Sequence, residues 1–267
     1  MAQSPQFIAI TAEKFSGKAW RRYTGYAFAA GENLVPLFAA ELAQAVPAMP
    51  LCFVQIDDGF QLVAVTALQP GVNLFVAPDG RWLGAYVPAA LRGYPFRLVK
   101  PQDRADSVLC IDEASGLVVD AGQGETFFDE DGRPSKALRD VLELLSQAER
   151  SRMAAQAAVD ALAAAGLIQA WPLNIQQGEQ NVPVTGLYRI DEAALNALEN
   201  EAFFTLRRLG ALPVEYAQLL SMNQLAVLQQ LAQIQAKLNT PTPSVVQNFE
   251  GLKGFGLSQD DGTLKFS

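Results

Sequence analysis

The chain of 267 residues contains no histidine. Histidine supplies the neutral-pH base, the proton shuttle and the commonest neutral metal ligand, so its absence removes whole mechanistic classes. Ser-His-Asp and Cys-His nucleophilic sites, HExxH zinc proteases, carbonic-anhydrase-type zinc sites and two-His-one-carboxylate iron centres all need a residue that is missing here. Any catalysis would fall to Asp, Glu, Lys, Tyr, Cys or a cofactor held by a partner. Cysteine is scarce too, with only Cys52 and Cys110. Both stand in short apolar runs, Leu51-Cys52-Phe53-Val54 and Val108-Leu109-Cys110-Ile111, that read as strands in which a thiol behaves as a small hydrophobe. Two thiols cannot close a zinc site and give no sign of a secreted disulfide scaffold; a bond between them would need their strands to be neighbours. Positive charge is in the minority: 20 Lys and Arg against 28 Asp and Glu leave a net charge of −8. That field repels phosphate backbones and anionic lipid, so nucleic acid is excluded as an expected partner. No window of about 18 residues is uniformly apolar, and even the Ala-rich stretch 153–168 carries Gln156 and Asp160, so no membrane insertion is expected. The amino terminus, Met1-Ala2-Gln3-Ser4-Pro5-Gln6, lacks the charged and apolar regions of a secretory signal, which points to a cytoplasmic protein.

What is present suffices for an ordinary core: half of the residues are apolar and 18% are charged, which marks a folded chain and not a disordered one. Up to about residue 133 short apolar or alternating runs are separated by turn residues, the pattern of strands and hairpins. Strands are predicted at Phe7 to Thr11, Leu51 to Ile56, Phe60 to Ala67 and Val72 to Ala77, then Phe96 to Val99, Ser107 to Ile111 and Leu117 to Val119. Asp57-Asp58-Gly59 has the chemistry of a tight hairpin turn. A helix is predicted from Asn33 to Gln44, and a short one from Pro88 to Leu91. From Pro134 the period changes. Leu138, Val141, Leu142, Leu145, Ala148 and Met153 recur three or four apart behind a Ser135 cap, giving a long helix that ends near Gly166. A strand pair, Trp171 to Ile175 and Gly186 to Ile190, should follow, joined by a polar loop from Gln176 to Asn181. Asp191 then caps a helix, a second one carries Phe203, Leu206 and Leu209, and Pro213 opens a long third one to Leu238. After Thr240-Pro241-Thr242-Pro243 a glycine-rich linker leads to a closing strand at Thr263-Leu264-Lys265-Phe266. The fold class is α+β, with a β-rich region (1–133) of mixed or antiparallel sheet, a mainly helical region (134–239) packed on it, and a linker with a terminal strand (240–267).

Several motifs invite chemistry and fail on spacing. Asp129-Glu130-Asp131-Gly132 puts its Gly at the fourth position of a would-be calcium loop and Asp140 at the twelfth, so it reads as a turn. Gly122-Gln123-Gly124 has Phe127 where a dinucleotide loop needs its third glycine. Lys18-Ala19-Trp20-Arg21-Arg22-Tyr23-Thr24-Gly25-Tyr26 interleaves cations with aromatics. It is either a ligand surface or an aromatic strand whose Arg side chains face solvent or local carboxylates. Val227, Leu231, Ile234 and Leu238 either pack on the chain's own sheet or form a homodimer seam along 213–238, with strand exchange through the carboxyl-terminal strand as a further route to a dimer. Arg92 to Phe96 presents two aromatics and, with Arg97, two cations within six residues.

The blocks Asn73-Leu74-Phe75-Val76, Gly80-Arg81-Trp82, Tyr86 to Phe96, Cys110-Ile111-Asp112-Glu113 and Phe128-Asp129-Glu130-Asp131-Gly132 follow in order. With Gly186-Leu187-Tyr188-Arg189-Ile190-Asp191-Glu192 and Gly210 to Ser221, they resemble the SapC family, named for surface-layer-associated proteins, over roughly residues 20 to 235. Members commonly carry a second Arg where Gly93 stands, and a His near Gln218 and near the Lys18 region. If those histidines serve a metal in relatives, this chain has lost it. The resemblance supplies no catalytic residues. It implies an accessory protein linked to surface-layer export or to settings shared with outer-membrane receptors and halogenase-like enzymes. The expected function is therefore non-enzymatic binding of a peptide, protein or small ligand without a cofactor; the alternative is a His-free enzyme using Tyr, Lys or carboxylate chemistry with a partner-held cofactor. Candidate ligand-binding residues are Trp20, Arg21, Arg22, Trp82, Tyr86, Arg92, Tyr94, Phe96, Arg97 and Tyr216, with no metal ligands among them. The ligand set predicts that the protein purified after chelation and desalting carries no zinc or iron. Stoichiometric metal by elemental analysis would contradict this.

Overall fold

The turn chemistry at Asp57-Asp58 does what its sequence suggests. Asp57 takes the left-handed conformation (φ 51°) that Asp tolerates better than most residues, and Ile56 pairs with Gly59 across the two-residue loop. In a computed structural model that describes residues 6–101, 106–177 and 180–239, the first half runs β1 (Phe7–Ala9), α1 (Ala12–Phe15), β2 (Lys18–Trp20), β3 (Leu34–Pro36), α2 (Leu42–Ala45), β4 (Leu51–Ile56), β5 (Gly59–Val65), α3 (Ala89–Arg92), β6 (Phe96–Val99), β7 (Val108–Asp112), β8 (Val118–Asp120) and β9 (Glu125–Thr126). The second half runs α4 (Lys136–Ala164), β10 (Ile168–Ala170), β11 (Leu173–Gln177), β12 (Gln180–Val184), β13 (Tyr188–Ile190), α5 (Glu192–Asn196), α6 (Asn200–Arg208), α7 (Leu212–Ser221) and α8 (Leu225–Asn239). Sheets dominate the first half and helices the second, an α+β fold.

The strands form four sheets, of orders β10-β13-β4-β5-β3, β1-β7-β6, β8-β2-β9 and β11-β12. Every pair is antiparallel. The five-stranded sheet carries the larger core, built on Leu51, Phe53, Leu62 and Val65 and covered by Val159 and Leu162 of α4, Val214 of α7 and Leu228 of α8. A smaller core gathers Phe15, Trp20, Phe96, Ile111 and Phe127 against Leu138. Helix α4 serves both. Its 29 residues extend about 43 Å, and its buried residues are Leu138 at one end and Ala155, Ala158, Val159 and Leu162 at the other. The caps are those the sequence implied: Ser135 Oγ accepts from Leu138 N (3.1 Å), and Asp191 accepts from Ala193 N and Ala194 N.

Four local expectations give way. The segment 33–44 is not one helix but β3, a single 3-10 turn (Ala39–Glu41) and α2, because Pro36 lacks the donor a helix would need while Val35 pairs with Ala64 at the sheet edge. The strand expected at Val72 to Ala77 is an irregular segment. Asn73 gives its side chain to the local backbone, donating to Ala29 O and accepting from Phe75 N (both 3.0 Å), and only a Val76–Trp82 bridge remains. The partner of β13 is β10, not residues 171–175, while the loop expected at 176–181 lies within the β11-β12 hairpin. The helix expected from Pro213 to Leu238 breaks at Met222–Gln224, where Ser221 Oγ donates back to Gln218 O (2.7 Å). Of the 227–238 stripe, Leu231 is buried, whereas Ile234 and Leu238 are exposed. Cys52 and Cys110 are free and buried in separate sheets. The linker and strand expected in 240–267 lie outside the described residues.

The gap between β4 and β13, which pair only at Phe53–Tyr188, is closed by side chains. Gln218 Oε1 accepts from Ile190 N (2.8 Å) and its Nε2 donates to Leu51 O (3.2 Å), while Ser221 Oγ accepts from Leu51 N (3.0 Å). One turn before Gln218, Glu215 is wholly buried with neither carboxylate oxygen hydrogen-bonded, and burial pushes its carboxyl up to about 7. Gln218→Ala, which orphans Ile190 N–H and Leu51 C=O, should cost about 2–4 kcal/mol in chemical denaturation. Because the folded carboxyl keeps a proton that the unfolded one releases near 4.5, the contribution of Glu215 to stability should fall as pH rises from about 4.5 to 7 and then level off. A displacement from 4.5 to about 7 in a carboxyl with no exposed surface corresponds to about 3 kcal/mol. The Glu215→Gln variant should gain stability over the wild type across that window; a constant difference between the two would contradict the assignment.

Candidate functional site

Between Leu138 and Ala155 no residue of α4 is buried, since the helix is anchored in two cores and spans the space between them. Leu142 and Leu144 remain 42% and 40% exposed, and Met153 61%. Two clefts open beneath this span, of about 390 and 430 Å3. They share Leu144 on the helix and Arg92 at the end of α3, so Arg92 stands where the two meet.

The first cleft brings together Trp20, Arg22, Arg92, Tyr94 and Phe96 of the sequence-predicted residues, and Tyr23 and Asp140 with them. Trp20 is placed by β2, which pairs with β8 and β9. Its ring meets Phe96 edge-on at 4.7 Å, and its buried indole N–H has no acceptor. Phe28 stacks flat on Tyr94 at 3.8 Å, and Tyr23 meets Tyr94 at 6.1 Å. Arg22 is bound to Glu125 through Nε–Oε1 (2.6 Å) and Nη2–Oε2 (3.3 Å). Burial pushes the Tyr23 phenol up to about 12 and raises that of Tyr94. Gly93 lets α4 approach: a Cβ there would lie 2.6 Å from Leu145 Cδ2, at the position where the SapC resemblance expects a second Arg.

The second cleft is organised by Glu41, which is 5% exposed. Its Oε1 accepts from Phe38 N (2.8 Å), and its Oε2 from both Tyr86 OH and Ala89 N (2.7 Å each). Burial, and next the Glu41 carboxylate, hold the Tyr86 phenol well above its ordinary value. Tyr86 in turn carries Arg92, whose guanidinium carbon lies 4.9 Å from the ring centroid. Arg92 Nε and Nη2 both donate to Val87 O (3.0 and 2.8 Å). The guanidinium is thus held in place, is exposed, and forms no salt bridge among the described residues, whereas Arg22, Arg81 and Arg152 each do.

Four predicted residues stand elsewhere. Trp82 lies behind the second cleft, its Nε1 donating to Tyr86 O (2.8 Å). Arg21 turns to Gln123, Arg97 lies over the Phe7 ring (4.8 Å), and Tyr216 is exposed on α7 and lines none of these clefts. Sequence reasoning missed Glu41, Asp140 and Leu144, and it held Tyr23 within the Lys18 to Tyr26 stretch without singling it out. For Glu41 a signal exists, since it is the only charged residue between Asn33 and Ile56. Leu144 falls outside the three-and-four spacing of Leu138, Val141, Leu142, Leu145, Ala148 and Met153, and nothing local tells that its turn lies over a cleft.

The phenols remain protonated donors at neutral pH, and burial raises the thiols of Cys52 and Cys110. The carboxyl displaced toward neutrality, that of Glu215, lies in neither cleft. Among the described residues no group of three or more Cys, Asp or Glu side chains is arranged to hold a metal ion, and no helix is long and apolar enough to cross a membrane. No curated protein and no solved structure matches the chain. The SapC family model matches residues 10–228, most of the chain. The order of motifs from Asn73 to Ser221 and this match agree: the chain belongs to the SapC family.

Proposed function

We propose that this chain is a non-enzymatic binding protein that takes an acidic segment of a partner protein, flanked by apolar residues, into the groove beneath the middle of α4. The observation that carries the reading is Arg92, a guanidinium fixed by Val87 O and the Tyr86 ring with no carboxylate of its own. Such a group has already lost the side-chain freedom that binding would otherwise remove, and its free edge suits a carboxylate. The walls are aromatic and aliphatic, with Trp20, Tyr94 and Phe96 facing the exposed Leu144 of α4. The net charge of −8 does not oppose this, because charges beyond about 8–10 Å are screened at physiological salt, and of the charges lining the groove Arg22 is paired with Glu125, Asp140 with Lys136, and Glu41 is satisfied by three donors, which leaves Arg92. The enzyme alternative finds less support: it wants an activated nucleophile or base in the cleft, and the phenols of Tyr23, Tyr86 and Tyr94 there are pushed the other way. Following the SapC resemblance, we place the partner among surface-layer export or outer-membrane uptake components.

The test is a display selection of random peptides on the full chain. Selected peptides should carry Asp or Glu beside aromatic or aliphatic residues and bind less tightly as salt rises. Arg92→Ala should weaken them at least about tenfold, near 1.4 kcal/mol, at an unchanged melting temperature, and Tyr94→Phe should weaken them less. Selected peptides without acidic residues, or equal affinity for Arg92→Ala, would overturn the reading.

A further inference from the structure

A third cleft, of about 530 Å3, lies between α8, the β11-β12 hairpin and the irregular segment after β5. Thirteen residues line it and none carries a charge. Its polar lining residues are Gln69, Asn174, Gln176 and Gln229; along β11 the Asn174 and Gln176 side chains alternate with Leu173 and Ile175, so the carboxamides offered to the cleft are those of Gln69 and Gln229. The contrast with the Arg92 groove, which holds two cations and two carboxylates, is one of chemistry and not only of place.

The hairpin explains why apolar surface remains there. Its register sets Leu173 opposite Val184 and Ile175 opposite Val182, so all four side chains share one face. Leu173 and Val184 pack on the larger core; among the described residues Ile175 and Val182 join neither core. The hairpin hydrogen-bonds to no other described strand, and two strands alone are marginally stable without something packed on them. Across the cleft the wall is fixed, because Gln235 of α8 donates to Leu74 O (3.0 Å) and Val76 O (2.7 Å).

We propose that this cleft is a binding site for a neutral, largely hydrocarbon small molecule with a hydroxyl or amide head, independent of the Arg92 groove. Its volume falls within the roughly 300–1,000 Å3 of small-ligand sites, and apolar walls with a few neutral donor-acceptors are what such a molecule fits. A charged ligand would find no countercharge and would lose its hydration. Carboxamides both donate and accept, so they serve a hydroxyl or amide in either orientation.

The probes are 1-N-phenylnaphthylamine, which is neutral, and anilinonaphthalene sulfonate, which is anionic, with 1-dodecanol as competitor, on the full chain. The neutral probe should brighten, be displaced by dodecanol, and bind more tightly than the anionic one. Ala232→Trp, placed on the exposed side of α8 where it fills the cleft, should weaken it at least about tenfold (1.4 kcal/mol) with the melting temperature retained. Gln229→Glu should weaken it less, and Arg92→Ala should leave it unchanged. No brightening with the full chain, equal binding of both probes, or indifference to Ala232→Trp would overturn the proposal. Loss on Arg92→Ala would do the same, by placing the probe in the other groove.

Discussion

The carboxylate of Glu41 is the point on which the Arg92 groove depends. Being only 5% exposed, it would be prohibitive to desolvate without partners, and it has three: two backbone N–H groups and a phenol. Those donors come from two stretches, the turn before α2 at Phe38 and the segment Tyr86 to Ala89 that leads into α3, which no strand pairing joins. By satisfying the charge they are drawn to one place. Tyr86 then offers a fixed ring to Arg92, and Val87 a carbonyl. The orientation of the guanidinium is thus inherited from a buried acid 51 positions earlier in the chain (92 − 41).

The groove itself follows from a mismatch of lengths. Two cores need covering, one above the five-stranded sheet and one around Phe15 and Phe127, and α4 supplies apolar residues to both. A straight helix of this length cannot sink into both and into the space between them, so its middle turns stand clear. Ser151 ties one end of that span down, its Oγ accepting from Ala40 N (2.9 Å), and the Ser135 cap, which also donates to Thr126 O (2.6 Å), ties the other. What remains between is a slot of fixed ends with the exposed Leu144 along its roof. The third cleft arises differently, from a hairpin whose apolar face is longer than the core beneath it.

Much of this was legible in the sequence wherever the cause is local. The Asp57 turn, the Ser135 and Asp191 caps and the long helix 136–164 are read from neighbours a few residues apart. The clustering of Trp20, Arg22, Tyr86, Arg92, Tyr94 and Phe96 was legible as residue types, though not as one place. Arg97 and Tyr216 look the same in sequence and point elsewhere, because the alternation of β6 sends Arg97 to the opposite side from Phe96 and α7 turns Tyr216 to solvent. The broken helices at 33–44 and 213–238 were only partly legible: Pro36 and the Ser221 hydroxyl that donates to Gln218 O are local signals, but the sheet-edge pairing of Val35 and the hydrogen bond from Leu51 N to Ser221 that go with them are long-range, and helical periodicity cannot see them. Gln218 stands near where SapC-like chains commonly carry a His, and its part here is structural, bridging two strands through one donor and one acceptor.

The central claim is that Arg92 meets a carboxylate of the bound segment directly. A double-mutant cycle tests it, pairing Arg92→Ala with neutralisation of each acidic residue in a peptide that binds the full chain. One acidic position should couple to Arg92 by about 1.5 kcal/mol or more while the others stay near zero, as close charge pairs in interfaces do. If every position is additive with Arg92→Ala, the guanidinium does not touch the ligand and the account of the groove is wrong.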